Sequence, residues 1–339
     1  MSLIVNKLAV SRSSRGVSRF FFSIINHLNW DSEIKYVETK NYKALDRIFD
    51  LLRNGSKKDI FWTPCLRGPF NIPNHIITVH DCINVEYIHK NDWRLYLFKK
   101  ITQKIIDNSV KIVAISETTK KSFLENYSVE ENKIVVIKSF LNLDWIEHER
   151  SLQEGLKTSL SLPYILMVTN KLFHKNNFRA FKALIQSSCD KFGVSLRVVG
   201  DIGIEEYKLL HSSRLKFFIE NQVTDSRLFE LYSNALFLLS PSLSEGHNLP
   251  IGEAIESGSN VLCSDIPAHR EFYDGMVKFF NPYDIEDMTE AINASIRKEG
   301  SWYQVIYNPK KNLLDAANNY RQLFLDVEYR HCRYLDRDH

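Results

Sequence analysis

The chain has 339 residues, of which 44% are hydrophobic and 25% are charged, and its formal charge is only +3. A length of this order is typical of two domains that each bury their own core. The small net charge gives no reason to expect a nucleic-acid-binding protein or a disordered acidic chain. Five scattered cysteines without a C-x-x-C pair are typical of thiols in a reducing compartment.

The amino terminus and the hydropathy predict a cytoplasmic protein. Lys7 interrupts the first apolar run, and Arg12, Arg15 and Arg19 follow it, so the segment lacks the apolar core of a signal peptide. No stretch approaches the roughly 18–20 uncharged apolar residues that a membrane span needs. Any membrane contact is therefore expected to be peripheral, on the inner face of the cell membrane.

Short β-branched runs alternate with longer amphipathic stretches along the chain. In chain order, strands are predicted at 2–5, 59–62, 75–79, 111–115, 133–137, 164–168, 196–199, 235–239 and 261–263. Helices are predicted between them, for example at 93–107, 120–127, 178–191, 225–233, 249–257 and 285–298. This alternation predicts an α/β protein with parallel, doubly wound sheets.

A polar segment at 147–161 separates two strand-helix series of similar size. We therefore expect one Rossmann-like domain over 1–150 and a second over 160–315. Four apolar residues at helical spacing predict a closing helix over 316–339, which can pack back on either domain, the amino-terminal one included: Tyr320, Leu323, Phe324 and Val327.

Two doubly wound domains first suggest a dehydrogenase, but the sequence does not favour one. The glycine-rich fingerprint G-x-G-x-x-G is missing after every predicted strand, and residues 200–206 read GDIGIEE, whose acidic residues would repel a pyrophosphate. The P-loop signature is missing as well. Hydride transfer and P-loop phosphoryl transfer are therefore both disfavoured.

The segment 240–258, SPSLSEGHNLPIGEAIESG, carries the strongest chemical signal. Asn248 suits an N-cap, Pro250 a first helical turn and Gly258 the end of a helix, which together predict a short helix at 249–257. A helix that starts at the carboxyl ends of a parallel sheet offers free N–H groups to a phosphate. Glu245 and Glu253 flank its start, eight positions apart.

Five motifs in matching order resemble glycosyltransferase family 4, the retaining nucleotide-sugar transferases of the GT-B fold. They are the glycine loop at 16–20, the pair His80 and Asp81, the segment 113–120, the turn at 164–176, and Glu245 with Glu253. The resemblance implies two Rossmann-like domains that face each other across a cleft. The amino-terminal domain would bind the acceptor and the carboxy-terminal domain the donor.

The same resemblance implies a metal-independent hexosyltransferase without a cofactor. Its donor would be a GDP- or UDP-linked sugar, mannose-like or N-acetylhexosamine-like. Its acceptor would be a hydroxyl of a lipid-linked glycan in bacterial O-antigen, capsule or exopolysaccharide synthesis. The alternative outside catalysis is a pseudo-glycosyltransferase that binds a nucleotide sugar as an assembly subunit, and three departures from the family pattern keep it open: His174, His247 and Asn248.

Three residues have catalytic roles that the resemblance implies. Lys175 would stabilise the leaving diphosphate, Glu245 would bind hydroxyls of the transferred sugar, and His80 would lie near the anomeric carbon and the acceptor hydroxyl. Each residue has a structural alternative. For Lys175 it is a solvated surface lysine, for Glu245 an acid at a helix start that the helix dipole favours, and for His80 a core histidine bonded to a backbone carbonyl.

The donor-binding set implied by the resemblance is Gly16, Asn170, His174, Gly246, His247, Asn248, Leu249 and Glu253. Glu253 would accept both ribose hydroxyls. His174 replaces an arginine of the family pattern. For His247 two interpretations remain open, contact with the donor or aromatic packing. Asn248 replaces a glycine, so it must adopt the backbone conformation that the glycine would have.

The acceptor and membrane side is predicted from charge. Residues 1–150 contain 23 Lys+Arg against 17 Asp+Glu, whereas 151–339 contain 21 against 24. The predicted helix at 93–107 interleaves aromatic and basic residues, as a helix on anionic lipid does. Its alternative is a core helix with a basic outer face. The candidate residues on this side are Arg15, Asp81, Trp93, Arg94, Lys99 and Lys100.

Overall fold

The structure is a computed structural model that describes residues 2–7, 15–37, 59–66, 68, 72–87, 93–140, 143–153, 162–300, 302 and 309–335. Two compact units make up the chain. The first combines Met1–Asn142 with Asn308–His339, and the second is Leu143–Tyr307.

The first unit contains a parallel sheet of six strands in the order β2-β1-β3-β4-β5-β6. The strands are β1 (Leu3–Val5), β2 (Ile34–Tyr36), β3 (Ile60–Thr63), β4 (His75–Val79), β5 (Lys111–Ala114) and β6 (Ile134–Val136). Among the described residues before 142, the helices are α1 (Arg15–His27), α2 (Ile83–Glu86), α3 (Trp93–Asn108) and α4 (Glu117–Asn126). Strands β3 and β4 are buried along their whole length, as expected for apolar runs in the middle of a parallel sheet.

The second unit contains another parallel sheet of six strands, in the order β12-β11-β10-β7-β8-β9. Its strands are β7 (Tyr164–Val168), β8 (Ser195–Val199), β9 (Phe217–Glu220), β10 (Phe237–Ser240), β11 (Val261–Ser264) and β12 (Lys278–Phe280). Its helices are α5 (Asp144–Gln153), α6 (Asn177–Gln186), α7 (Ile204–His211), α8 (Asp225–Asn234), α9 (Leu249–Glu256), α10 (Pro267–Tyr273) and α11 (Ile285–Ile296). The strand order reverses between β7 and β10, the place where doubly wound sheets bind ligands beyond their carboxyl ends.

The two parallel sheets confirm the predicted doubly wound α/β class. Three strands were not predicted, β2, β9 and β12, and each lies at the edge of its sheet. Most of their side chains are partly or fully exposed, and each strand includes a charged residue (Lys35, Glu220 or Lys278), unlike the continuous apolar runs that mark buried strands. The polar segment 147–161, which was predicted to separate the two domains, is helical in its first part. Residues 144–153 form α5, and residues 154–161 lie outside the described residues.

The carboxy-terminal helix α12 (Pro309–Leu335) packs on α1 and β3 of the first unit and begins seven residues before the predicted 316. Tyr320 is fully buried there, and its hydroxyl lies 3.0 Å from Oγ1 of Thr78 on β4. The same Oγ1 accepts a hydrogen bond from Nε1 of Trp62 at 3.1 Å. The rings of Tyr320 and Phe324 contact Trp62 at centroid distances of 5.2 and 5.6 Å. The last helix therefore completes the core of the first unit.

We expect Tyr320→Phe to lower the free energy of unfolding by about 1–2 kcal/mol, because it removes one partner of a buried hydrogen bond while keeping the ring. Urea unfolding followed by tryptophan fluorescence measures this. Tyr283→Phe is the control, since Tyr283 is 64% exposed. Equal effects of the two substitutions would contradict the anchoring role.

Candidate active site

Lys175 and Glu245 form an ion pair at the reversal point of the second sheet. Lys175 ends a short 3-10 turn (Phe173–Lys175) that follows β7, and Glu245 lies in the loop after β10. Nζ of Lys175 lies 2.6 Å from Oε1 of Glu245, with the side chains only 16% and 9% exposed. The hydroxyl of Ser242 donates to the same oxygen at 2.7 Å. The structure thus brings together two residues that the sequence placed in the catalytic set.

Glu245 is a carboxylate in this setting. Burial raises its pKa, but the Lys175 cation outweighs that effect, with help from the hydrogen bonds of Lys175 and Ser242. The net pKa is lower than the ordinary value of a glutamate. At neutral pH the group therefore accepts hydrogen bonds and donates none.

The loop that carries Lys175 is fixed by its neighbour Asn176, which has a left-handed backbone with φ of 56°. The amide nitrogen of Asn176 donates to the carbonyls of Pro241 and Pro282 at 3.1 and 2.8 Å. Arg179 donates to its amide oxygen at 3.0 Å. These bonds tie the loop after β7 to the loops after β10 and β12.

Thr169 and the predicted donor residue Asn170 follow β7, and hydrogen bonds hold the turn that they form. Asn177 donates to the carbonyl of Asn170 at 2.8 Å, and Thr169 donates to the amide oxygen of Asn177 at 2.7 Å. Gly200 follows β8 with φ of 114°, and a Cβ there would meet the carbonyl oxygen of Thr169 at 2.0 Å. Only glycine allows this close approach of the two strand ends.

Asn248 has a left-handed backbone with φ of 70°, as its place in the glycine position requires. Its amide nitrogen donates to Oγ of Ser240 at 2.8 Å and lies 2.7 Å from Nε2 of His269. The prediction that Asn248 caps helix α9 is therefore only partly right. The residue occupies the N-cap position, but its side chain makes no capping bond.

The predicted helix after Asn248 is confirmed as α9, Leu249–Glu256. Gly258 ends it with φ of 82°, and its N–H donates to the carbonyl of Ile255 at 3.0 Å. The N–H of Ser259 donates to Ala254 at 2.9 Å, which completes a Schellman motif.

Helices α6 and α9 both begin at the reversal point with a left-handed asparagine and without a side-chain cap. Three helices elsewhere are capped in the usual way, by Ser116, Thr224 and Asp284. The first N–H groups of α6 and the N–H of Leu249 in α9 therefore meet no side-chain cap, and the helix dipoles favour a negatively charged ligand there. Pro250 has no N–H, and the N–H of Ile251 donates to the carbonyl of Asn248 at 3.1 Å.

Three further predicted donor residues lie close to this site. Glu253 is buried within α9, where the hydroxyl of Tyr232 donates to its Oε2 at 3.1 Å. His174 is buried in the 3-10 turn, and its carbonyl accepts from the N–H of Leu243 at 2.7 Å. His247 follows the buried Gly246, and its ring stacks on Phe272 at a centroid distance of 4.0 Å and an angle of 23°.

A cavity of about 580 Å³ opens at the carboxyl ends of β8 and β9. It is lined by Lys171, Asp201, Tyr207, Ile219 and Asn221, among others. Sequence reasoning missed these residues. The available signal is the segment 200–203, which directly follows a buried strand. The sequence analysis uses it only as evidence against a dinucleotide fingerprint.

The first unit brings its own predicted motifs together. His80 follows β4, and its ring meets Phe20 of α1 edge-on at 4.8 Å. Nε2 of His80 lies 2.9 Å from the carbonyl oxygen of Pro64 and donates to it. Burial lowers the pKa of His80 to about 4, although the Pro64 bond acts in the opposite direction, so the ring is neutral at pH 7. The carbonyl contact is the one that a core histidine would make.

Two other predictions in this unit need comment. Gly16 was expected in a loop, but it lies in the first turn of α1. Asp81 accepts a hydrogen bond from the N–H of Ile83 at 3.1 Å and so helps to start α2. The side chain of Arg15 lies outside the described part of the chain.

Helix α3 exposes two of its three aromatic residues. Trp93 and Tyr96 are 71% and 62% exposed, and Nζ of Lys100 lies 4.6 Å from the centroid of the Tyr96 ring. Arg94 and Lys99 lie on the same helix. The buried side of α3 is formed by Leu95, Thr102, Ile105 and Ile106. Phe98 is partly buried and packs against the core, so only Trp93 and Tyr96 belong to the surface.

Within the ranges given above, no three His, Cys, Asp or Glu side chains are grouped so that they could hold a metal ion. The helices in those ranges also include none that is long and apolar enough to cross a membrane.

Comparisons with known proteins give a family match within the second unit. A model of the family described as glycosyl transferases group 1 matches residues 166–298. The O-antigen chain mannosyltransferase RfbU of Salmonella typhimurium is 27% identical over 249 residues, which make up 71% of this chain and 66% of RfbU. The match thus spans slightly less than two thirds of that relative.

Two solved structures share the architecture. Anabaena HepE in complex with UDP-glucose aligns over 99% of both chains with a TM-score of 0.62 and 13% identity. WaaG, described as a glycosyltransferase involved in lipopolysaccharide biosynthesis, aligns over 95% of this chain and 94% of its own, with a TM-score of 0.61 and 15% identity. At these identities the likeness concerns the fold. Residues 166–298 are therefore similar to the group 1 glycosyl transferases, and the chain has the GT-B fold.

Proposed function

We propose that the protein is a retaining hexosyltransferase that moves a mannose-like sugar from a GDP- or UDP-linked donor to a glycan hydroxyl. The observation that carries the proposal is the Lys175–Glu245 pair between two helix N-termini that lack side-chain caps. A cation and two positive dipole ends at one place suit a diphosphate. A carboxylate beside them suits the hydroxyls of a sugar.

In the reaction, the leaving diphosphate gains negative charge as the bond to the anomeric carbon breaks. Lys175 would turn from Glu245 to the phosphate, and the N–H groups that start α6 and α9 would add further donors. Fixed donors aimed at developing charge are the largest single contribution in many enzymes. Glu245, released from Lys175, would accept from the hydroxyls of the transferred sugar.

The nucleoside would extend along the sheet from this point. Neighbouring strands lie about 4.8 Å apart, so the cavity at the ends of β8 and β9 is about 5–10 Å from the end of β7. This separation matches a ribose and a base. Glu253, whose orientation is fixed by Tyr232, would accept the ribose hydroxyls. The HepE structure contains UDP-glucose, which supports a nucleotide sugar in this fold.

His80 is the candidate that would contact the acceptor hydroxyl. Because Nε2–H donates to Pro64, its Nδ1 is the acceptor nitrogen of the neutral ring. A pKa of about 4 makes it too weak a base to hold a proton at neutral pH. We therefore assign it the orientation of the acceptor hydroxyl, whose proton would pass to an oxygen of the leaving diphosphate as the new glycosidic bond forms.

The relatives support a surface glycan as the acceptor. RfbU is an O-antigen chain mannosyltransferase, and WaaG takes part in lipopolysaccharide biosynthesis. We propose a lipid-linked glycan of bacterial polysaccharide synthesis as the acceptor, at the cytoplasmic face of the membrane.

Lys175→Ala should lower kcat by about 100- to 1,000-fold, because it removes charge stabilisation of the leaving phosphate.

Glu253→Gln should raise the donor KM about tenfold and change kcat less, since it keeps an acceptor for Tyr232 but weakens ribose binding. Steady-state transfer with GDP- and UDP-linked hexoses measures both. Lys191→Ala and Glu290→Ala, at exposed positions, are the matched controls. Normal kinetics in both site variants would refute these roles, and nucleotide binding without turnover would favour an assembly subunit.

We also propose that transfer needs no metal ion, because Lys175 and the two helix starts supply the positive charge at the diphosphate. Activity should persist within about twofold after dialysis against EDTA. Loss of activity that Mg²⁺ or Mn²⁺ restores would contradict this.

The exposed face of α3 is proposed to rest on anionic lipid. Lys99→Glu combined with Lys100→Glu should weaken binding to phosphatidylglycerol vesicles at least tenfold, because each basic residue near such a surface contributes about 1 kcal/mol. Trp93→Ala should weaken it as well. Co-sedimentation with vesicles is the measurement.

The control pair is Lys191→Glu with Lys216→Glu, which changes the net charge equally but alters exposed residues of the second unit. If both pairs reduce binding equally, the contact is a general charge effect. If neutral phosphatidylcholine vesicles bind equally well, the electrostatic part of the proposal is wrong.

A further inference from the structure

We propose that Asp201 is the specificity-determining residue for the base of the donor nucleotide, and that it selects guanine over uracil. Its side chain lines the cavity of about 580 Å³ at the carboxyl ends of β8 and β9. The inference rests on the proposed donor site, which admits a GDP- or a UDP-linked sugar, and it narrows that choice to GDP.

The backbone that leads into Asp201 is held by both neighbouring strands. The N–H of Gly200 donates to the carbonyl of Glu220 at the end of β9, at 2.9 Å. On the other side, the N–H of Thr169 after β7 donates to the carbonyl of Val199 at 2.9 Å. Asp201 therefore leaves the sheet from a defined position at the edge of the cavity.

Asp201 is the acid of the segment 200–206 that remains for a ligand. Glu206 accepts from the N–H of Gly203 at 2.6 Å and so helps to start α7, and Glu205 forms an ion pair with Lys208 at 2.8 Å. Within the described part of the chain, the Asp201 carboxylate has no hydrogen-bond or ion-pair partner. Among the described residues that line the cavity, it is also the one acid.

The other walls of the cavity suit the flat faces of a base. They are largely apolar, and the ring of Tyr207 is held edge-on by Phe217 at a centroid distance of 5.9 Å. Stacking on an aromatic ring strengthens binding but tolerates any base, because every base has a π face. The choice of base must therefore come from polar groups at its edge. The apolar and aromatic lining residues are Ile202, Ile204, Tyr207 and Ile219.

A carboxylate at the edge of a base favours guanine. It has two oxygens that only accept, and guanine presents two adjacent donors, N1–H and the 2-amino group. The two oxygens can therefore both be satisfied at once, in charge-assisted hydrogen bonds. Lys171 lines the same cavity and would donate to O6 or N7 of the same base.

Uracil does not offer this match. It has a single N–H, which lies between two carbonyl oxygens. When one oxygen of Asp201 accepts from that N–H, the other faces a carbonyl oxygen, and the two negative groups repel each other. Asp201 thus selects for guanine by its hydrogen bonds and against uracil by repulsion.

The first test changes the ligand and needs no variant. Calorimetry should give a Kd for GDP at least tenfold lower than the Kd for UDP. Inosine diphosphate keeps N1–H but lacks the 2-amino group, so it should bind at least tenfold more weakly than GDP. If UDP or inosine diphosphate binds as tightly as GDP, the inference is overturned, while the proposed function, which admits either nucleotide, stands. If the wild type binds neither GDP nor UDP, both fail.

The second test changes the residue. Asp201→Asn replaces one oxygen by an amide NH₂ of nearly the same shape, which would face a donor of guanine, so GDP should bind about 10- to 100-fold more weakly. Xanthosine diphosphate has a carbonyl in place of the 2-amino group and can accept from this NH₂. It should therefore bind at least tenfold more tightly to the variant than to the wild type. A gain for one base beside a loss for another cannot come from unfolding.

Asp190→Asn is the matched control. Asp190 is an exposed aspartate that precedes β8, so it lies at the opposite edge of the same sheet, and its substitution should leave each Kd within about twofold. If Asp201→Asn weakens GDP and UDP by the same factor, or gains nothing for xanthosine diphosphate, Asp201 does not contact the edge of the base and the inference is overturned.

Discussion

The ion pair between Lys175 and Glu245 is the constraint on which the rest of the site depends. Two charges that are mostly removed from water are costly unless they are held in good geometry with further hydrogen bonds. Ser242 supplies one such bond, and the amide of Asn176 fixes the loop beside Lys175 to the loops after β10 and β12. Three connections after different strands are thus joined at one edge of the sheet, and the carboxyl ends of β7 and β10 become a site.

Two asparagines at this edge combine a left-handed backbone with side-chain hydrogen bonds that fix a loop. Asn176 and Asn248 both have positive φ, both precede a helix, and both direct their amides into the protein rather than onto that helix. A glycine would adopt the conformation more easily, but it could not tie the loop. An asparagine can do both, provided that buried acceptors hold its amide. The carbonyls of Pro241 and Pro282 do so for Asn176, and Ser240 and His269 do so for Asn248.

The sequence predicts much of the fold and of the candidate site. The elements and contacts that it does not predict share a physical reason, which is that they depend on partners distant in the chain or lack a strong local pattern. The central strands and helix α9 follow from local apolar runs and turn residues, and Glu245, Lys175 and Asn248 follow from the motifs around them. The edge strands β2, β9 and β12 each include a charged residue and keep most of their side chains partly or fully exposed, so their sequence signal is weak. The contact between His269 and Asn248 carried no local signal, because the two residues are 21 positions apart. The contact of Tyr320 with Thr78 spans 242 positions, so no local pattern could have placed α12.

The charge balance of the chain shows why the site must be local. Residues 151–339 contain 24 Asp+Glu against 21 Lys+Arg, so their overall field does not attract a diphosphate. In the proposed function, the attraction comes from Lys175 and the starts of α6 and α9, and Glu245 pairs with Lys175 in the absence of a ligand. If a simple phosphate displaced Glu245 from Lys175, the nearly buried carboxylate would lose its cation, and this loss is energetically unfavourable. A sugar nucleotide supplies phosphate oxygens for Lys175 and hydroxyl donors for Glu245 together. In the proposed reaction, the ion pair therefore favours ligands in which a sugar and a diphosphate are joined over either part alone.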